Sequence, residues 1–266
     1  MNGILDKDPV FFYDAFYPLK LKSSFDVEPI PIEALRAVHS NRMIEGVKAT
    51  GEFEGALYSA GGTVAAAIRV WSGGITNAFV FTGYGDHHAG RDFFGGGCYF
   101  NGAAIAIHEL QEKFHVQRLA IVDTDAHHGD GTWDLFENGG KVLYICFCPE
   151  PSHAVNQKVN IQVPWPVNDE DYLNLVERAF ERYVRTFQPE MFFWNWGYDG
   201  TAGKYGDMGL TPSVHWNLGV AVKKWVQEVC QGRLVVILCG GSRRDLARIL
   251  IPKMIKILAG LPAGMI

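Results

Sequence analysis

Leu119-Ala120-Ile121-Val122-Asp123-Thr124-Asp125-Ala126-His127-His128-Gly129-Asp130-Gly131-Thr132 begins as an apolar run and ends as a cluster of acids and imidazoles. The first half reads as a buried strand, and the second as the polar edge it delivers. If the backbone stays extended, side chains alternate faces, so Asp123, Asp125 and His127 project to one side. Carboxylates beside an imidazole make a metal-ligand set. A solvated acidic loop is the competing reading, and it fits poorly. Acids are almost never buried without partners, and these would repel one another unless a cation or an imidazolium compensated them.

Outward from this stretch, the apolar runs alternate with helical patterns. Strands are expected over Asn77 to Thr82 and over 116–123, 141–147, 191–196 and 233–239. Helices are expected over Ile32 to Lys48, Leu57 to Trp71 and Asn101 to Phe114, from Asn168-Asp169 onward, and over 213–230 and 245–258. The proline-punctuated segment 148–166 reads as a loop. Residues 1–30, aromatic and aperiodic, read as an extended segment packed on the core. Near-continuously apolar strands separated by helices imply an α/β three-layer sandwich, a mostly parallel sheet covered on both faces. With 266 residues, 48% of them hydrophobic, and no linker, the expectation is one domain over 1–266.

Net charge is -5, with no block of lysine or arginine, which argues against direct nucleic-acid binding. No apolar run approaches a membrane span and no signal-peptide pattern opens the chain, so a cytoplasmic protein is expected. Five cysteines without a C-x-x-C pair fit a reducing compartment. Cys146, Cys148 and Cys239 read as core thiols.

Four strands end in glycine and polar residues, and ligands of open α/β sheets bind beyond the carboxyl ends of strands. Those ends supply His87 and His88, then Asp123, Asp125, His127 and Asp130, then Asp199, and finally Arg243. Two carboxylates and one imidazole form a three-ligand open site, the pattern of catalytic zinc. Calcium or magnesium would prefer oxygen ligands throughout, and cysteine-based structural zinc is set aside on spacing. The His87-His88 pair is the natural acid/base apparatus, with Asp123 and Asp130 available to orient it. His128 is assigned a supporting structural role.

In order and spacing, His87-His88-Ala89, Gly96-Gly97-Cys98-Tyr99-Phe100-Asn101, Asp123 to Gly131 and Gly197-Tyr198-Asp199 resemble the histone deacetylase family of zinc amidohydrolases. The similarity runs from Val38-His39-Ser40 over most of the chain. It implies the arginase/deacetylase-like fold and one zinc per chain, held by Asp125, His127 and Asp199. It also implies His88 as general base supported by Asp130, His87 as electrostatic partner supported by Asp123, and a Gly96 carbonyl accepting from the substrate amide. A structural potassium ion is implied on backbone oxygens of Asp123, Asp125, His127 and residues near Cys146. The implied reaction is hydrolysis of an amide in an acylated amine or acyl-lysine-like small molecule, by metal-activated water.

Three departures bear on the substrate. The family's last strand ends Gly-Gly-Gly-Tyr, the tyrosine donating to the oxyanion, whereas this chain has Cys239-Gly240-Gly241-Ser242-Arg243. Arg243 is therefore a candidate for oxyanion stabilisation or for substrate binding. The family's Gly-Phe-Cys is Gly96-Gly97-Cys98 here, so a tunnel wall is missing and Gly97 widens the substrate site. Trp194 and Trp196 read as packing residues rather than as replacements for that wall. The chain is also short and lacks acidic rim loops, which weakens the case for histone tails. Two rival readings follow: a weak or inactive acyl- or carboxylate-binding homologue in which Arg243 replaces the oxyanion tyrosine, and an arginase-type hydrolase. One Asp-His-Asp set supplies ligands for a single metal, which disfavours the latter.

Overall fold

Period-two burial organises the core. Along the strand 119–123, Ile121 packs with one apolar cluster while Ala120 and Val122 pack with another; Phe193 against Phe192 and Trp194, and Ile237 against Val236, divide in the same way. Both faces of the sheet are thus apolar, which is why these strands read as continuous runs. A computed structural model describes the backbone of residues 11–12 and residues 27–261, apart from 138, 139, 204 and 242.

The strands are β1 (Phe11–Phe12), β2 (Asn77–Phe81), β3 (Leu119–Asp123), β4 (Val142–Cys148), β5 (His153–Val155), β6 (Lys158–Gln162), β7 (Met191–Trp196) and β8 (Leu234–Leu238). They form one sheet in the order β1-β2-β8-β7-β3-β4-β6-β5. Every pairing is parallel except that of β5 with β6. The helices Phe53–Trp71 and Gly102–Phe114 contribute to one cluster, and Asp169–Ala179, Pro212–Cys230 and Arg244–Leu258 to the other. This is the expected α/β sandwich.

The topology positions the site. From β3 the chain moves outward through β4 to β6 and β5, then returns to place β7 on the opposite side of β3. The β3–β7 boundary is therefore a switch point, where diverging connections open a crevice beyond the strand ends. Asp125 and His127 follow β3, and Asp199 follows β7. The strands β2, β8, β7 and β3 are consecutive in the sheet, so the four predicted polar ends lie side by side.

Local chemistry accounts for the boundaries that differ from expectation. Ser40 accepts a hydrogen bond from Met43 N and caps a new helix, dividing the expected 32–48 element into Ile32–Val38 and Asn41–Thr50. Segment 148–166 contains β5 and β6 where a loop is expected. Asn160 holds that turn by donating to Glu150 O and Pro151 O. The helix begun at Asp169 continues through a π-helical turn, Phe180–Val184. Up to residue 26, apart from β1, the expected extended segment 1–30 lies outside the described residues.

Candidate active site

β3 stops at Asp123, so the extended alternation expected to align Asp123, Asp125 and His127 does not continue past it. The chain instead makes two successive side-chain-to-backbone turns. Asp123 Oδ1 accepts from Asp125 N at 3.2 Å, and Asp125 Oδ1 accepts from His127 N at 2.9 Å. These short polar residues turn the chain as Asp typically does.

The turn brings His127 Nδ1 to 3.0 Å from Asp125 Oδ1 and 2.9 Å from Asp199 Oδ2. Asp125 and Asp199 are almost fully buried; Asp125 Oδ2 has no hydrogen-bond partner, and Asp199 Oδ2 relies on its ion pair with the His127 ring. Hydrogen bonds that the His127 ring donates to both carboxylates, opposed by partial burial, hold its pKa up to about 10. Burial, reinforced by the charge of Asp125, pushes the Asp199 carboxyl up to about 6. Two buried acids facing one imidazole leave an electrostatic deficit that a divalent cation would remove. The donor set, two carboxylates and one imidazole nitrogen within 4.8 Å of one another, fits zinc with an open coordination position.

Gly240, at the end of β8, closes this cluster from the side. A Cβ there would overlap Asp125 Oδ2 and lie 2.9 Å from Asp199 Oδ2. Gly240→Ala is expected to weaken zinc affinity by about 10- to 100-fold, the usual cost of disturbing ligand support. Gly95→Ala, where an added carbon meets nothing within 4 Å, should leave it unchanged. Chelator competition measures both.

The histidine pair lies beside the cluster. His87 Nδ1 is 3.0 Å from Asp123 Oδ2, and its Nε2 is 3.7 Å from Asp125 Oδ1. Burial alone would depress the His87 pKa, but Asp123, Asp125 and Asp199 together outweigh it and raise the value to about 10. Asp123 is itself fixed by donors that the sequence reading missed, the Tyr144 hydroxyl at 3.0 Å and Asn195 Nδ2 at 3.4 Å. His88 Nδ1 is 2.7 Å from Asp130 Oδ1, and its ring is 4.1 Å from that of His87 and 6.2 Å from that of His127, centroid to centroid. Because ionised Asp130 can only accept, it selects the Nδ1–H tautomer and leaves Nε2 with a lone pair. Gly96, at φ +56°, presses against this ring, and a Cβ there would sit 2.5 Å from His88 Cδ2. Only glycine allows both the backbone turn and the close approach.

Behind the pair, His39 accepts from Asn101 N at Nε2 (3.1 Å), so its Nδ1 donates to Gly90 O (2.7 Å). Burial depresses its pKa to about 4, consistent with a neutral brace for the loop that carries His88.

A cavity of about 450 Å³ opens beside Asp199, lined by Tyr198, Thr201, Gly203, Tyr205, Gly241, Arg243 and Leu246. Arg243 is brought to this cavity but its donors are engaged: Nε and Nη2 with Asp245 at 3.2 and 2.5 Å, and Nη1 with Ala202 O at 3.1 Å. None of these bonds reaches the Asp-His-Asp cluster. Nothing lies within 4 Å of a Cβ built on Gly97, whereas Trp194 and Trp196 are wholly buried. Tyr205 was missed by sequence reading. Its ring lies 4.9 Å from that of His127, and its only sequence signal is its place in the glycine-rich segment after Asp199.

With this geometry in view, the likeness to known proteins is specific. The histone deacetylase domain profile matches residues 47–258. The chain belongs to the histone deacetylase domain family. It is similar to a probable deacetylase of Archaeoglobus fulgidus, 32% identical over 206 residues, covering 72% of this chain and 57% of the relative. Histone deacetylase HDA1 of Candida albicans is 28% identical over 212 residues, covering 71% of this chain and 25% of the relative. The crystal structure of the HDA15 HD domain shares the fold, with a TM-score of 0.77 at 24% identity, covering 89% of this chain and 75% of that one. The chain thus spans little more than half the length of the first relative and a quarter of the second.

Proposed function

We propose that the chain, acting as one deacetylase-like domain, is a zinc-dependent amidohydrolase that removes an acyl group from an amine or an acyl-lysine-like compound. The observation that carries this reading is the Asp125–His127–Asp199 set, in which two buried carboxylates converge on one imidazole and Asp125 Oδ2 has no hydrogen-bond partner. When bound there, zinc supplies a Lewis acid for the acyl carbonyl and lowers the pKa of water. His88, with its Nδ1–H committed to Asp130, takes a proton at Nε2 from the attacking water and returns it to the leaving amine. His87, held charged by the surrounding carboxylates, supplies positive potential next to that step. The Gly96 carbonyl is assigned to the substrate amide N–H. The potassium site implied by the resemblance would use backbone near Asp123 and Cys146, which are register partners on β3 and β4.

The open wall at Gly97 and the cavity beside Asp199 favour a compact or branched acylated amine over a single extended chain. No helix among the described residues is long and apolar enough to cross a membrane. The proposed setting is the cytoplasm, with no direct nucleic-acid partner. A panel of acylated amines, acylated amino acids and acyl-lysine peptides, assayed with zinc-loaded protein, tests the reading. Hydrolysis of none of them would refute it.

Arg243 bears on rate. With its guanidinium held by Asp245 and Ala202, it leaves the oxyanion without the phenol that the family uses. Arg243→Tyr is expected to raise turnover of a fluorogenic acyl-lysine substrate by up to about a hundredfold, the worth of one oxyanion donor. A fall in turnover would show that the guanidinium itself serves the reaction.

A further inference from the structure

A second cluster of metal-ligating side chains joins the loop that carries His127 to β4. Cys146 and Cys148 are two residues apart on β4, so both thiols fall on one face of the sheet, and both are fully buried. β4 pairs with β3 in a register that sets Asp123 against Cys146. The loop leaving Asp123 therefore passes over the end of β4, and His128 meets Cys148 with Nδ1 3.5 Å from Sγ. His128 Nδ1 and the sulfurs of Cys146 and Cys148 all lie within 4.8 Å of one another. The sequence reading set cysteine-based zinc aside because no C-x-x-C pair exists. A C-x-C pair on a strand, completed by a histidine from the neighbouring loop, escapes that rule.

We propose that His128, Cys146 and Cys148 form a second metal site, distinct from the Asp-His-Asp cluster, for a soft divalent cation of the zinc class. Two thiolates and one imidazole are ligands selective for such a cation. The spacing is apt: with Zn–S near 2.3 Å and Zn–N near 2.1 Å, tetrahedral angles place sulfur and nitrogen about 3.6 Å apart. Asn160, on β6, offers a fourth donor. Its Oδ1 is 3.1 Å from Cys148 Sγ, and its amide nitrogen donates to Glu150 O and Pro151 O at 3.1 Å each, which fixes the oxygen toward the sulfur. In the metal-free chain the Cys148 thiol shares its contacts among His128, Asn160 and the Cys146 thiol, and a cation at their centre would replace these contacts with metal bonds. Binding exchanges two S–H bonds for two metal–sulfur bonds and releases both protons to solvent. Once occupied, the site ties the His127–His128 loop to β4 and β6, bracing a catalytic ligand from behind.

Cobalt(II) loading of the intact chain tests this, because only a thiolate ligand yields a sulfur-to-cobalt charge-transfer band in the near ultraviolet and the Asp-His-Asp cluster contains no sulfur. The band is expected in the unaltered protein and in Asp199→Ala, which breaks only the catalytic set. It should shift in His128→Gln, disappear in Cys148→Ser, and persist in Cys98→Ser, whose thiol lies outside the cluster. A folded, cobalt-loaded chain without the band overturns the proposal, whether or not the serine variants fold. Persistence of the band unshifted in His128→Gln overturns it as well. Neither result depends on hydrolytic activity.

Discussion

Asp199→Ala should abolish hydrolysis together with the catalytic site's share of the response to zinc. The variant removes one of three ligands and leaves Asp125 and His127 paired with each other at 3.0 Å. A ligand present at a hundred times its dissociation constant stabilises a folded protein by about 2.7 kcal/mol. The unaltered chain should therefore melt several degrees higher on zinc addition, and the variant should lose the part of that shift due to the catalytic site. Without metal, the comparison reverses. Asp199 is raised to about 6 by burial and by the charge of Asp125, so its ionised form is less favourable in the folded chain than in the unfolded one. Its contribution to stability consequently declines as pH rises from the ordinary carboxyl range through about 6. At neutral pH, metal-free Asp199→Asn should melt no lower than the metal-free parent. Differential scanning calorimetry with and without zinc separates the two effects. A metal-free variant that melted well below its parent would mean that the ion pair with His127 outweighs the burial cost of the carboxylate.

His88→Ala should lower kcat by about a hundred- to ten-thousandfold, the range for loss of a general acid/base. Its zinc content should stay at the parental level, because His88 makes its hydrogen bond to Asp130 and not to a ligand. Asp130→Asn should cost less, since it leaves the imidazole in place but loosens its tautomer. Retained zinc with lost turnover is the signature that separates this variant from Asp199→Ala. Parental turnover in His88→Ala would move the proton-transfer role to another group, and His87 would be the first to examine.

The sheet was legible because burial on both faces makes a strand hydrophobic without interruption, and because each site strand ends abruptly in glycine and polar residues. β3, β4, β7 and β8 accordingly lie within a few residues of the expected spans. β5 and β6 were hidden because β5 is exposed throughout, β6 is short and carries Lys158 and Asn160, and prolines surround both. Residue type offered several acids and imidazoles at the strand ends, and the family resemblance singled out Asp125, His127 and Asp199; the geometry that joins them is a pair of aspartate turns rather than a continued strand. The direction of Arg243 was not legible. It depends on a carbonyl forty-one residues away at Ala202 and on a carboxylate two residues ahead. Cys146 and Cys148 read as core thiols because the histidine that approaches them comes from a different strand's loop.

The proposed hydrolysis of an amide at the Asp125–His127–Asp199 cluster depends on bound zinc. That dependence is tested most directly by stripping the purified chain with a chelator, assaying it against an acylated amine it has been found to cleave, and repeating the assay after zinc is restored. Hydrolysis is expected to fall to the background rate on stripping and to return with zinc in the parent but not in Asp199→Ala. Unchanged hydrolysis by the metal-free chain would contradict it.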